Sequence, residues 1–154
     1  MSVFFFDSSA LVKRYVWEQG TGWVRSLCAP TAANSLLVSV IMPVEIISAV
    51  SRRRREGTVT PRAAQAVRLL LHRHLQREYR VIELAAPILQ RAQDLLEQQP
   101  LRAYDAIQLA SALEANARLL AGGLAPLIFV AADTRLLTIG TLVGLSGEDP
   151  TQHL

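Results

Sequence analysis

Four carboxylic acids stand out by where they fall. Asp7 directly follows the apolar run Val3–Phe6, and Asp133 closes the apolar stretch around Leu127–Ala131. Glu45 lies two residues beyond Pro43, and Asp105 lies where an alanine-rich stretch opens near Arg102. Strand C-termini and the helix N-termini that follow them line one edge of an open parallel sheet, so this placement would bring all four acids to one cleft. Two carboxylates 4 Å apart repel by roughly 4 kcal/mol at an effective dielectric of 20. Four together stay ionised only if a cation joins them; otherwise some take up protons. An oxygen-only set without Cys or His suits Mg²⁺ or Mn²⁺ better than zinc. Such ions also contact substrate phosphates, and the corresponding chemistry is phosphodiester hydrolysis.

Each acid also has a structural role it could fill. Asp7 and Asp133 are placed to cap helices, and Glu45 and Asp105 to favour the positive end of a helix dipole. With Pro43 as the first helical residue, Met42 is the expected N-cap, so Glu45 has no capping box to complete. Asp105 shares a helix face with Leu109 and Ala112, with no basic residue one turn on.

The elements that must position these acids read as alternating short apolar runs and longer helical patterns. This is an α/β protein with a mainly parallel sheet of four to five strands. Strands are expected at Val3–Phe6, Leu36–Val40, Arg80–Leu84 and Leu127–Ala131, with room for an edge strand after Gly144. Helices are expected over Ser8–Trp17, around Trp23–Leu27, from Pro43 to Glu56, from Pro61 past Leu75, from Pro87 to Gln99, from Arg102 to Leu119, and from Asp133 through Leu137. Without a repeat or a dividing linker, residues 1–154 read as one domain.

Composition narrows the class. Apolar residues make up 51% of the chain and charged residues 19%, which excludes disorder. A single cysteine, Cys28, excludes a disulfide framework and fits a reducing cytoplasm. Neither Leu36–Val50 nor Leu119–Ala132 reaches the roughly 18 residues of a spanning helix, so no membrane association is expected. The net charge is +3, and Lys13 is the only lysine among 16 basic residues. That mild excess is compatible with a nucleic-acid partner.

The segment Phe4-Phe-Phe-Asp7-Ser-Ser9-Ala-Leu-Val-Lys-Arg-Tyr15 resembles the opening motif of PIN-domain ribonucleases, specifically VapC-type toxins. Val44-Glu45-Ile-Ile-Ser-Ala49 is similar to their second motif, Tyr104-Asp105-Ala-Ile-Gln-Leu-Ala-Ser-Ala-Leu113 to their third and Phe129-Val-Ala-Ala-Asp133 to their fourth. The four occur in family order and span nearly the whole chain. The resemblance implies a three-layer α/β/α PIN-like fold and a Mg²⁺- or Mn²⁺-dependent endoribonuclease acting on tRNA or rRNA. It also implies a cognate VapB-type antitoxin and a homodimer. Carried over, Asp7, Glu45, Asp105 and Asp133 form the catalytic and metal-binding set, with Ser9 as a supporting polar group. The family often has a hydroxyl residue two before the last acid, where this chain has Ala131.

Other residues invite a role. Lys13 and Arg14 follow the first acid by less than two turns and are candidates for RNA or antitoxin contact. Arg52–Arg55 could hold phosphates or simply complement a helix C-terminus. Tyr15, Trp17 and Trp23 could line a groove for a partner helix or belong to the core. His72 and His74 point to different helix faces, His153 carries no signal, and Cys28 is expected to be inert. A phosphatase of the haloacid dehalogenase type needs a second Asp where Ser9 stands. A receiver domain needs an acidic pair near its first strand and a late lysine, and neither is present. A degenerate PIN-like binding or scaffold module remains as the alternative to the nuclease.

Overall fold

Successive side chains of a strand alternate between its two faces, and the three adjacent phenylalanines divide accordingly. Phe4 and Phe6 enter one buried cluster with Leu36, Val38 and Val130, whereas Phe5 enters a second with Leu37 and Phe129. A strand buried on both sides reads as continuous apolar sequence, as parallel strands under two helical layers do. The computed structural model, which describes residues 1–154, has one sheet of five strands, of which the three central ones are of this kind. They are β1 (Val3–Phe6), β2 (Ser35–Ser39), β3 (Tyr79–Ile82), β4 (Ile128–Val130) and β5 (Ser146–Glu148), all parallel, in the order β3-β2-β1-β4-β5.

Helices α1 (Ser8–Leu11), α2 (Thr21–Cys28), α3 (Met42–Arg55) and α4 (Pro61–Arg77) bring apolar side chains to the first cluster. Helices α5 (Ala86–Gln98), α6 (Ala103–Ala121) and α7 (Thr134–Leu142) supply the second. The result is the three-layer α/β/α arrangement expected from the sequence. No helix is long and apolar enough to cross a membrane.

The strand order creates the functional edge. From β1 the chain builds outward to β2 and β3, then restarts on the other side of β1 with β4. That reversal leaves a crevice beyond the carboxyl ends of β1 and β4. The two ends are in register, Phe6 opposite Val130, and the Asp7 amide donates to the Val130 carbonyl at 2.9 Å.

Several boundaries differ from expectation. The helix expected over Ser8–Trp17 stops at Leu11 and tightens into a 3₁₀ turn over Val12–Arg14. Val12, Tyr15, Val16 and Trp17 are indifferent helix formers, and specific bonds draw this stretch elsewhere. Arg14 donates to Tyr79 Oη at 2.7 Å and to Glu78 at 2.6 Å, while Tyr15 Oη bonds His74 Nδ1 and Tyr79 Oη. His74 is therefore a buried member of this network, whereas His72 is exposed. Helix α3 begins at Met42 with Ile41 as its N-cap, one residue earlier than Pro43 implies. The third strand starts at Tyr79 and ends at Ile82, and α7 continues to Leu142.

The tail forms the edge strand and then docks on α2. His153 stacks on Trp23 with ring centroids 4.0 Å apart, and its Nε2 donates to Glu148 Oε2 at 2.9 Å. Gly20 has φ +90, and a Cβ there would come within 2.6 Å of the Pro150 carbonyl oxygen, so the closeness of this docking requires glycine.

Candidate active site

The crevice gathers the four acids. Asp7, Glu45, Asp105 and Asp133 all line one cleft of about 360 Å³ at the carboxyl edge of the sheet. Asp7 and Asp133 are the N-caps of α1 and α7, and Glu45 and Asp105 lie in the first turns of α3 and α6. The structural roles weighed for Asp7 and Asp133 are thus real, and they coexist with convergence.

Asp7 is 4% exposed. Its Oδ2 accepts from the Ser9 amide at 3.1 Å and from the Ser9 hydroxyl. Ser9 Oγ in turn accepts from the Ala132 amide at 3.0 Å, tying the loop after β1 to the loop after β4. Burial pushes the Asp7 carboxyl up to about 7; the Ser9 bonds oppose the rise, and the charges of Glu45 and Asp105 add to it.

Glu45 is half-buried, and one of its oxygens is fully engaged. Oε1 accepts from Ser8 Oγ at 3.1 Å and from Gln108 Nε2 at 2.6 Å. Burial raises its pKa, these two bonds lower it, and the charge of Asp105 raises it again. Asp105 is raised by burial first and then by Asp133, with Arg102 and Arg135 opposing. Asp133 is exposed, and its Oδ1 accepts from the Leu136 amide at 3.1 Å.

The four acids therefore form an electrostatically continuous chain, in which Asp7 senses Glu45 and Asp105, and Asp105 senses Asp133. Such a set of hard oxygen donors suits a divalent cation. No three His, Cys, Asp or Glu side chains stand close enough to enclose an ion alone. An open arrangement of this kind matches Mg²⁺, which keeps several waters and takes one or two carboxylates with substrate phosphates.

Three arginines share the lining. Arg52 and Arg53 reach it from the last turn of α3, and Arg102 from the N-cap of α6; Arg135 stands beside Asp105 and Asp133 in an adjoining hollow. Arg53 is held at 3.0 Å by Glu18, whose other oxygen binds buried Lys13 at 3.0 Å. Lys13 thus supports the cleft wall from behind. Arg14 lies away from it, committed to Tyr79 and Glu78, which corrects its expected position at the cleft. Trp17 is 75% exposed and shares an apolar groove with Tyr15 and Leu70, while Trp23 lies under the tail. Cys28 is buried, and desolvation raises its thiol to about 11, as befits an inert cysteine.

Sequence reasoning missed Ser8, Glu18, Arg102, Arg135 and Gln108. Only Gln108 carried a signal: it stands one turn beyond Asp105 on an inward face otherwise filled by Leu109 and Ala112.

A model of the PIN domain matches residues 4–137. No curated protein sequence matches the chain. Among solved structures, VapBC2 from Rickettsia felis, bound to a promoter DNA fragment, superimposes with a TM-score of 0.62 at 14% identity, covering 96% of this chain and 98% of that one. VapC20 of Mycobacterium tuberculosis, a toxin that cleaves the sarcin–ricin loop, gives 0.60 at 18% identity, with 92% and 95% covered. FitAcB from Neisseria gonorrhoeae gives 0.62 at 14% identity, with 98% and 99% covered.

Proposed function

Since this chain belongs to the PIN-domain family, we propose that it is a divalent-metal-dependent endoribonuclease, the toxin of a type II toxin–antitoxin pair. The observation that carries the reading is that Asp7, Glu45, Asp105 and Asp133 share one cleft with three arginines, a fifth acid, Glu18, being paired with Arg53. Asp7, Glu45, Asp105 and Asp133 would hold Mg²⁺ or Mn²⁺. When bound, the cation would neutralise charge at the scissile phosphate and raise the acidity of the attacking water. Arg52 and Arg102 are exposed at the cleft and free of salt bridges, so they can bind phosphates flanking the scissile bond. Ser9 holds Asp7 in place, and Glu18 keeps Arg53 on the wall.

The partner in this reading is a VapB-type antitoxin. A toxin–antitoxin complex from Klebsiella pneumoniae is similar in fold, with a TM-score of 0.54 at 18% identity over 85% of this chain and 87% of that one. The protein would act in the cytoplasm, as a homodimer when free of antitoxin. A degenerate binding module is the competing reading.

The test is cleavage of total tRNA and rRNA with Mg²⁺, Mn²⁺ or EDTA, with Asp105→Asn purified in parallel. Discrete cuts that need metal and vanish in the variant support the nuclease. Absence of cleavage together with absence of Mn²⁺ binding supports the binding module.

A further inference from the structure

Gln108, on the inward side of α6, is a fully buried amide, 0% exposed. Glutamine is uncommon in such a position because both ends of its amide need partners. Here the donor end is fully used: Nε2 gives one hydrogen to Glu45 Oε1 at 2.6 Å and the other to Ser8 Oγ at 3.0 Å. Ser8 Oγ, having accepted, donates its own hydrogen to the same Glu45 oxygen at 3.1 Å. The acceptor end, Gln108 Oε1, is buried without any partner. A packing role alone would favour a leucine or methionine, which leaves no acceptor stranded. What the amide gains is therefore its grip on Glu45.

That grip is selective. Two donors converge on Glu45 Oε1, whereas Oε2 accepts no side-chain hydrogen bond. The three residues come from three elements, Ser8 from α1, Glu45 from α3 and Gln108 from α6, so the triangle also fixes α6, and with it Asp105, relative to Glu45. We infer that Gln108, acting with Ser8, is the positioning residue for Glu45: it occupies Oε1 and reserves Oε2 for a divalent cation in the cleft. The inference rests on the metal-dependent reading above. The amide touches neither the substrate nor the ion; it removes the rotational freedom that Glu45 would otherwise lose on binding metal.

The test is a double-mutant cycle on Mn²⁺ affinity, measured by titration calorimetry on the full chain. Gln108→Met keeps the length and bulk of the side chain and removes the amide. It is expected to weaken Mn²⁺ binding by roughly 10–100-fold, the usual effect of losing a group that orients a ligand. Glu45→Gln weakens binding as well, and the double variant binds no more weakly than Glu45→Gln alone, because Gln108 acts only through Glu45. Ser8→Ala gives a smaller loss, and its own cycle with Glu45→Gln carries the test if Gln108→Met does not fold. Cleavage by Gln108→Met recovers as Mn²⁺ is raised, with the KM for RNA unchanged. Equal Mn²⁺ affinity in wild type and Gln108→Met overturns the inference while the metal-dependent reading stands. Strictly additive losses overturn it too, since they mark a general disturbance of the fold. A wild-type protein that binds no Mn²⁺ sinks both.

Discussion

Asp7 shows what it costs a single residue to serve a site. Its side chain is buried, faces two other acids and has its pKa pushed up to about 7, well above the roughly 3.9 of an unfolded chain. The sign of the linkage follows. Between pH 4 and 7 the unfolded chain ionises this group while the fold holds it protonated, so the unfolded state binds fewer protons and stability falls as pH rises. The contribution of Asp7 is most favourable near pH 4 and levels off above pH 7, and a shift of this size corresponds to a penalty of up to about 4 kcal/mol. Asparagine removes the charge and still caps α1. Asp7→Asn is therefore expected to be inactive yet more stable than wild type at pH 8 in EDTA, with the two proteins converging near pH 4. Urea denaturation at the two pH values measures this, and a variant less stable at pH 8 would contradict it. Ser9→Ala should do the opposite, losing about 1–2 kcal/mol because Asp7 keeps only the backbone donor of residue 9 and the Ala132 amide loses its acceptor. The positions of the four acids were legible in the sequence because each sits at an element boundary. The orientation of Glu45 was not, because Ser8, Glu45 and Gln108 come together only through tertiary packing.

At the scale of elements, the inner sheet was readable because its strands are short apolar runs, two of which lead into Asp7 and Asp133. The α1 region was not, and the reason is specific. Periodic Leu11, Val12, Tyr15 and Val16 look helical, but the hydrogen bonds of Arg14 and Tyr15 reach across 59 to 65 residues to α4 and β3. Contacts at that separation leave no periodic trace in a window of a dozen residues. The same bonds decide what Arg14 is for. Its guanidinium closes a network of Tyr79, Tyr15, His74 and Glu78, outside the acidic cleft. Arg14→Ala is expected to destabilise the fold by about 1–3 kcal/mol, because Tyr79 loses its charged donor and Glu78 its partner. It should leave kcat/KM for RNA unchanged per folded molecule. Thermal melts and initial rates separate the two effects, and a rate loss without a stability loss would return Arg14 to the substrate.

At the scale of the whole molecule, a net charge of +3 understates the asymmetry that matters. The acids line one cleft together with arginines from α3 and the N-terminus of α6, a pattern that composition cannot reveal. Phosphates on either side of the scissile bond would meet positive charge, while the reacting phosphate would meet the carboxylates and whatever cation they hold. Each cleft arginine that binds a phosphate would release condensed counterions from the RNA, which steepens the fall of log K with log salt by about 0.7 for a single strand. Arg52 and Arg102 sit on different elements, so their effects should add. The measurement uses Asp105→Asn, to bind RNA without cutting it, titrated over a range of salt with and without Arg52→Ala and Arg102→Ala. Each substitution is expected to reduce the slope by nearly one contact and the pair by nearly two. The loss should be similar for RNAs of unrelated sequence, because phosphate contacts position a strand without reading its bases. An unchanged slope would mean that the cleft arginines only balance the acids.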